Sequence, residues 1–155
     1  MLSFFLVFFT VTQQWQTRNL LQKRVDAPEL KLHSIDGKEY SIANFRGKQV
    51  VLYFFAPWCS VCKLTSGNIE TLQKYSDPKK LQILIVGLAY DEPAEIAQFQ
   101  KNHDLTAPVL IGNEALANAY QISGFPVFYF IDEDGKIKSS SIGYTSTPGL
   151  FWRSM

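Results

Sequence analysis

The sequence predicts an α/β domain with a central mixed β-sheet flanked by helices, and three observations predict it. Val50 to Phe55 is an apolar, aromatic-rich run without polar alternation, the pattern of a strand covered on both faces. Leu81 to Leu88 and Val127 to Ile131 repeat that pattern, with amphipathic stretches of helix length between them. Asp36-Gly37 and Asp134-Gly135 each separate shorter runs, as tight hairpin turns do.

The chain opens on an apolar segment, residues 1–17, in which Leu2, Phe4, Phe5, Leu6, Val7, Phe8, Phe9 and Val11 crowd the first twelve positions. It lacks a charged start and a small-residue cleavage site, and it is shorter than the ~20 residues a spanning helix needs. A clipped membrane anchor, an uncleaved signal-like segment and a buried strand all remain open. Trp15 followed by Arg18 resembles an interfacial edge and favours the anchor. Arg18, Lys23 and Arg24 pull the other way, because positive flanks favour the cytoplasmic side. A longer native start with its own basic residues would remove that conflict.

Residues 18–26 read as a polar linker and 27–155 as the folded domain. Leu30 and Leu32 alternate with polar residues, turn at Asp36-Gly37 and return through Tyr40 and Ile42, an added N-terminal β-hairpin. The central strand follows. Lys63 to Tyr75 reads as a helix with Leu64, Ile69 and Leu72 facing the core and Gly67 marking a bend. After the Leu81 to Leu88 strand comes a βα insertion: a helix at Glu92 to Asn102 with Ile96 and Phe99 inward, then a short apolar piece at Pro108 to Ile111. A short helix is expected at Glu114 to Tyr120, a strand at Val127 to Ile131, another at Ile137 to Ile142, and a last helical turn or two ending at Trp152.

With 155 residues, 46% hydrophobic and 19% charged, the chain has the composition of one globular domain with a real core. Fifteen Lys and Arg against fourteen Asp and Glu give a net charge of +1 without a basic block, so nucleic acid has no electrostatic handle.

The two cysteines, Cys59 and Cys62, are the only ones, and they follow the central strand directly. A three-residue spacing closes too short a loop to act as a structural staple. It does place both thiols on the first turn of a helix, where unpaired N–H groups and the helix dipole favour a thiolate. Cys59, nearer the tip, is the expected nucleophile, and Cys62, one turn deeper, the resolving thiol. Half a zinc site is the bland alternative, but only His33 and His103 could complete it. A peroxidatic cysteine is a second competitor, and Ala56 stands where such sites use threonine. The redox dithiol is the better reading of these residues. A Cu(I) chaperone or redox-sensitive binding module using the same pair is the reading from a different class, since Cu(I) prefers soft thiolates.

Phe55-Ala56-Pro57-Trp58-Cys59-x-x-Cys62 resembles the active-site signature of the thioredoxin superfamily. Phe45-Arg46-Gly47-Lys48-Gln49-Val50-Val51-Leu52 is similar to its membrane-anchored, extracytoplasmic branch, which includes the cytochrome c maturation thioredoxins. Gly124-Phe125-Pro126 before an apolar strand matches the family's second landmark, and the likeness covers roughly Ala27 to Gly143. Gly143-Tyr144-Thr145-Ser146 and the tryptophan-containing tail are similar to the suppressor for copper sensitivity protein D group, which would bring copper tolerance with it.

The resemblance implies a thioredoxin fold, a cis Pro126 opposite the dithiol and a Phe125 backbone free to pair with substrate. It implies that Pro57 shapes the strand-to-helix turn and Trp58 the rim around Cys59. The redox-active Cys59–Cys62 disulfide would serve without a cofactor or metal. Partners would be proteins with disulfides and a membrane-bound dithiol donor, on the periplasmic side. Tyr53 stands where many thioredoxins carry a buried aspartate, and Thr65 where the cytochrome-maturation branch often carries a glutamate. Neither familiar carboxylate is then available to Cys62, leaving Glu70, Glu92 or water. Ser60 and Val61 lack the histidine that strong oxidants often place between the cysteines, which favours a reducing couple and so an enzyme that reduces or isomerises protein disulfides through Cys59 and Cys62.

Overall fold

The computed structural model describes residues 6–12, 20–21 and 24–155. Five strands form the main sheet: β3 (Gln49–Phe55), β4 (Leu81–Gly87), β5 (Val109–Ile111), β6 (Val127–Ile131) and β7 (Ile137–Ile142), in the order β5-β4-β3-β6-β7. β3 pairs parallel with β4 and antiparallel with β6, so the sheet is mixed as predicted. β1 (Lys31–His33) and β2 (Glu39–Ser41) make the separate antiparallel hairpin, turned at Gly37 with φ +83. A bridge from Ser34 to Leu110 fastens that hairpin to the edge strand β5.

Within residues 24–155, four α-helices flank the sheet: α1 (Ser60–Tyr75), α2 (Pro93–Asn102), α3 (Glu114–Ala119) and α4 (Thr147–Ser154). Alternation along β3 divides the core between the two faces. Val51, Tyr53 and Phe55 pack with Ile69 and Leu72 of α1, Ile96 and Phe99 of α2 and Leu150 of α4. Val50, Leu52 and Phe54 pack with Leu32 of β1, with Leu30 just before that strand and with Leu116 of α3. Burial of both faces explains why β3 reads as an unbroken apolar run.

Two expectations are corrected, that Leu64 faces the core and that residues 18–26 are a free linker. Leu64 is not a core contact but 72% exposed; the buried face of α1 is Cys62, Thr65, Ser66, Ile69 and Leu72. α1 continues as one helix through Gly67, where an added Cβ would meet nothing within 4 Å. The described part of the stretch expected as a linker is docked on the domain. Leu20 is buried, Arg24 N–H donates to the Ile137 carbonyl at 2.8 Å, and Ile137 N–H donates to the Val25 carbonyl at 2.9 Å. Asp26 and Lys136 add an ion pair at 2.9 Å. Residues 24–26 thus extend the β7 edge, and backbone pairing rather than side-chain polarity decides their place.

Residues 6–12 are helical, with Leu6, Val7, Phe8, Phe9 and Val11 exposed, which rules against the buried-strand reading for them. Trp15 and Arg18 lie outside the described residues. No helix among the described residues is long and apolar enough to cross a membrane.

Candidate active site

β3 ends at Phe55, and Ala56-Pro57-Trp58 turns the chain into α1. Cys59 is the N-cap of that helix, with φ −78 and ψ 114, and its Sγ accepts the Cys62 N–H at 3.2 Å. The sulfur therefore occupies the position where a helix N-terminus presents donors to an anion. Cys59 and Cys62 form a disulfide, with Cα atoms 5.2 Å apart. Cys59 is 6% exposed and Cys62 is fully buried, so an incoming sulfur meets Cys59 first.

The Phe125–Pro126 peptide is cis. Pairing of Phe54 with Val127 brings this segment beside the end of β3, and Gly143 N–H donates to the Pro126 carbonyl at 2.8 Å. No hydrogen bond from the described residues occupies the Phe125 N–H or carbonyl. Trp58 joins the two halves. Its ring stands edge-on to Phe125, with centroids 5.8 Å apart, and its Nε1–H donates to the Ala89 carbonyl at 2.9 Å. Cysteine pair, Trp58, Phe125 and Pro126 are thus gathered at one end of the sheet, and Pro57 lies in the turn between strand and helix.

Tyr53 and Thr65 lie beneath the site and do structural work. Tyr53 is fully buried, stacks on Phe128 at 4.8 Å and donates its hydroxyl to the Cys62 carbonyl at 3.0 Å. Burial raises its phenol pKa well above the usual tyrosine range, so it holds its proton. Thr65 Oγ1 donates to the Val61 carbonyl at 2.8 Å, one turn back along its own helix. Glu70 is engaged by the N–H and hydroxyl of Thr106, at 2.9 and 2.6 Å. Glu92 is the exposed N-cap of α2. Nothing in the contacts of either carboxylate involves Cys62.

His33 sits on the hairpin, 3.8 Å from Glu39, and His103 lies against Phe99 with ring centroids 4.4 Å apart. Among the described residues no group of three or more His, Cys, Asp or Glu is placed to hold a metal ion. Burial, and then the charge of Lys63, hold the His103 pKa below its ordinary value, against a smaller opposing effect of Asp104. The sequence reading missed Ala89, which takes φ +51 and supplies the acceptor for Trp58. Nothing in the local sequence signals it, because an alanine after a buried strand carries no turn signature.

The AhpC/TSA family model matches residues 24–140. The thioredoxin-like protein YneN of Bacillus subtilis (strain 168) is 32% identical over 126 residues, 79% of this chain and 73% of its own length. A thiol-disulfide oxidoreductase ResA of Bacillus cereus is 30% identical over 141 residues, covering 88% of this chain and 80% of its own. A thioredoxin family thiol:disulfide interchange protein from Chlorobium tepidum TLS superposes with a TM-score of 0.78 at 21% identity. That match covers 86% of this chain and 96% of the other, and it shows the thioredoxin fold.

Proposed function

The chain belongs to the AhpC/TSA family and is a thioredoxin-fold thiol-disulfide oxidoreductase working through Cys59 and Cys62, and we propose that it runs as a reductase of protein disulfides. One observation carries the direction-independent part: Cys59 caps α1 at the surface while Cys62 lies buried one turn behind it.

In the reductive direction the Cys59 thiolate attacks one sulfur of the substrate disulfide. A Cys59–substrate S–S bond forms, and the second substrate sulfur leaves as a thiolate that takes a proton. Cys62, deprotonated, then attacks Cys59 Sγ, forming the Cys59–Cys62 disulfide and releasing the first substrate sulfur. Two electrons pass from the dithiol to the substrate. A dithiol donor must then return them, and we assign that role to a membrane-bound partner.

Trp58 and Phe125 frame the approach to Cys59, and the unpaired Phe125 backbone suits an extended substrate segment lying along it. With Tyr53 protonated and Glu70 engaged by Thr106, water is the acceptor for the Cys62 proton. The reducing direction rests on Ser60-Val61, which places no histidine between the cysteines to stabilise the thiolate. An extracytoplasmic site, tethered by the N-terminal segment, fits the exposed apolar side chains of residues 6–12.

The test is reduction of a disulfide-bonded protein by the prereduced chain, with the potential of the couple measured against glutathione. Turnover should vanish in Cys59→Ser, and Cys62→Ala should accumulate the mixed disulfide. The potential should fall on the order of −200 mV or lower. A potential near about −120 mV, that of the strongest oxidants, would sink the reductase direction.

A further inference from the structure

The fold leaves large apolar side chains exposed on two neighbouring helices: Val61, Leu64 and Tyr75 on α1, Trp152 on α4, and Tyr144 in the loop leading to α4. At 100° per residue, Val61, Leu64, Asn68 and Tyr75 fall within roughly 60° of arc, a single stripe along α1. Asn68 ties that stripe to the rest. Its amide donates to the Thr145 carbonyl at 2.9 Å, next to Tyr144, and its Oδ1 accepts the Thr147 hydroxyl at 2.9 Å, at the start of α4. At the other end, Tyr75 of α1 and Phe151 of α4 line one recess of about 440 Å³. The two helices therefore present one face, and Trp152, 78% exposed, is its most exposed side chain.

The charge on that face is positive. α1 carries Lys63 and Lys74, both exposed, and its one carboxylate, Glu70, is engaged by Thr106. α4 carries Arg153 and no acidic residue. At the recess, Lys79 and Lys80 match Asp77 and Glu133. Tryptophan and tyrosine settle where lipid headgroups meet hydrocarbon, with one end apolar and the other wet. A protein interface takes the same aromatics but is depleted of lysine, whereas an anionic bilayer attracts it.

We propose that this face of α1 and α4 is a membrane-contact surface, which lays the folded domain on an anionic phospholipid bilayer. The contact is separate from the N-terminal segment and does not depend on the direction in which the dithiol runs. Val61 stands between the two cysteines in the chain, so the stripe begins at the redox site. Cys59, the N-cap of α1, is then at the margin of the contact. That placement suits the membrane-bound dithiol donor assigned above.

Tryptophan emission reads the face directly. In the full chain carrying Trp15→Phe and Trp58→Phe, Trp152 is the sole tryptophan. Vesicles of phosphatidylglycerol should shift its emission to shorter wavelength, and lipids brominated on their acyl chains should quench it. Vesicles of phosphatidylcholine should need about tenfold or more lipid for the same signal. Leu64→Ser with Tyr75→Ser, and separately Lys63→Glu with Lys74→Glu, should each raise the half-saturating lipid concentration about tenfold. These side chains are exposed, and the melting temperature of each variant checks that its fold is kept. Vesicle binding that leaves Trp152 unshifted and unquenched means that the N-terminal segment alone holds the bilayer, and it overturns the proposal. So does an absence of binding, or a signal that neither pair of substitutions weakens. A shift that grows with protein concentration in the absence of vesicles overturns it in favour of a second copy on this face. Cys59-dependent reduction of a soluble disulfide is measured apart from the vesicles, so its loss defeats the reductase reading and leaves the membrane contact standing.

Discussion

The Trp58 indole stands edge-on to the Phe125 ring, centroids 5.8 Å apart and planes at 88°, so the residue before the nucleophile touches the residue before the cis proline. Aromatic pairs in this arrangement contribute ~0.5–1.5 kcal/mol beyond the area they bury. The Ala89 carbonyl fixes the indole from the other side. Trp58 is nonetheless 64% exposed, so the contact shapes the rim more than it supports the fold.

Trp58→Phe keeps an aromatic ring and removes the N–H that Ala89 accepts. Losing a hydrogen bond of ~1 kcal/mol predicts a fall of about fivefold in kcat/KM for a protein disulfide. Trp58→Ala, which also removes the contact with Phe125, should lose more. Trp58→Phe should also lose about 1 kcal/mol of stability and Trp58→Ala more, as both contacts go. Unchanged kcat/KM in Trp58→Ala, measured by protein disulfide reduction, would remove Trp58 from the rim.

Tyr53→Phe separates support from proton transfer. The ring remains to stack on Phe128, while the Cys62 carbonyl loses its buried hydroxyl donor. Denaturant unfolding should show a loss of ~1 kcal/mol. Because burial keeps the phenol protonated, the pH profile of disulfide reduction should keep its midpoints. A displaced midpoint would give the phenol a part in the chemistry.

Leu64 and Leu72 lie on the same helix with opposite expectations. Leu72 is fully buried against the β3 face, and Leu72→Ala should cost about 2–5 kcal/mol of unfolding free energy. Leu64 is 72% exposed, and Leu64→Ala should stay within about 0.5 kcal/mol of the wild type. Equal losses in urea unfolding would restore Leu64 to the core.

The same helix shows where the sequence was legible and where it was not. β3, the cysteine pair and Phe125-Pro126 could be read because each carries a strong local signature: an unbroken apolar run, a C-x-x-C spacing, a proline before a strand. The inner face of α1 could not. Thr65 and Ser66 lie inside because their hydroxyls bond to carbonyls of their own helix, at 2.8 and 2.7 Å, while Leu64 faces out. Hydrophobicity alone therefore chose the wrong leucine. Leu20 was hidden for a different reason. Its burial goes with Val25 and Arg24 pairing with Ile137, more than a hundred residues away, and no local pattern reports that. Ala89 and Gly112 line one groove of about 620 Å³ only through the loops that meet there.

His103 offers a direct check on the electrostatics beside Trp58. It borders a groove of about 290 Å³ with Pro57, Trp58, Lys63 and Glu95. Burial is the larger cause of its lowered pKa and Lys63 the next, with Asp104 opposing. A folded-state pKa below the unfolded value of about 6.5 means the unfolded chain binds more proton between the two. Stability from this group therefore rises with pH through that window and is lost as pH falls below 6.5. An NMR titration of the His103 ring should give a midpoint below 6.5. Lys63→Met should move it upward without restoring 6.5, because burial remains, and added salt should act in the same direction by screening. A wild-type midpoint at or above 6.5 would refute the assignment. A midpoint unmoved by Lys63→Met would leave burial as its sole cause.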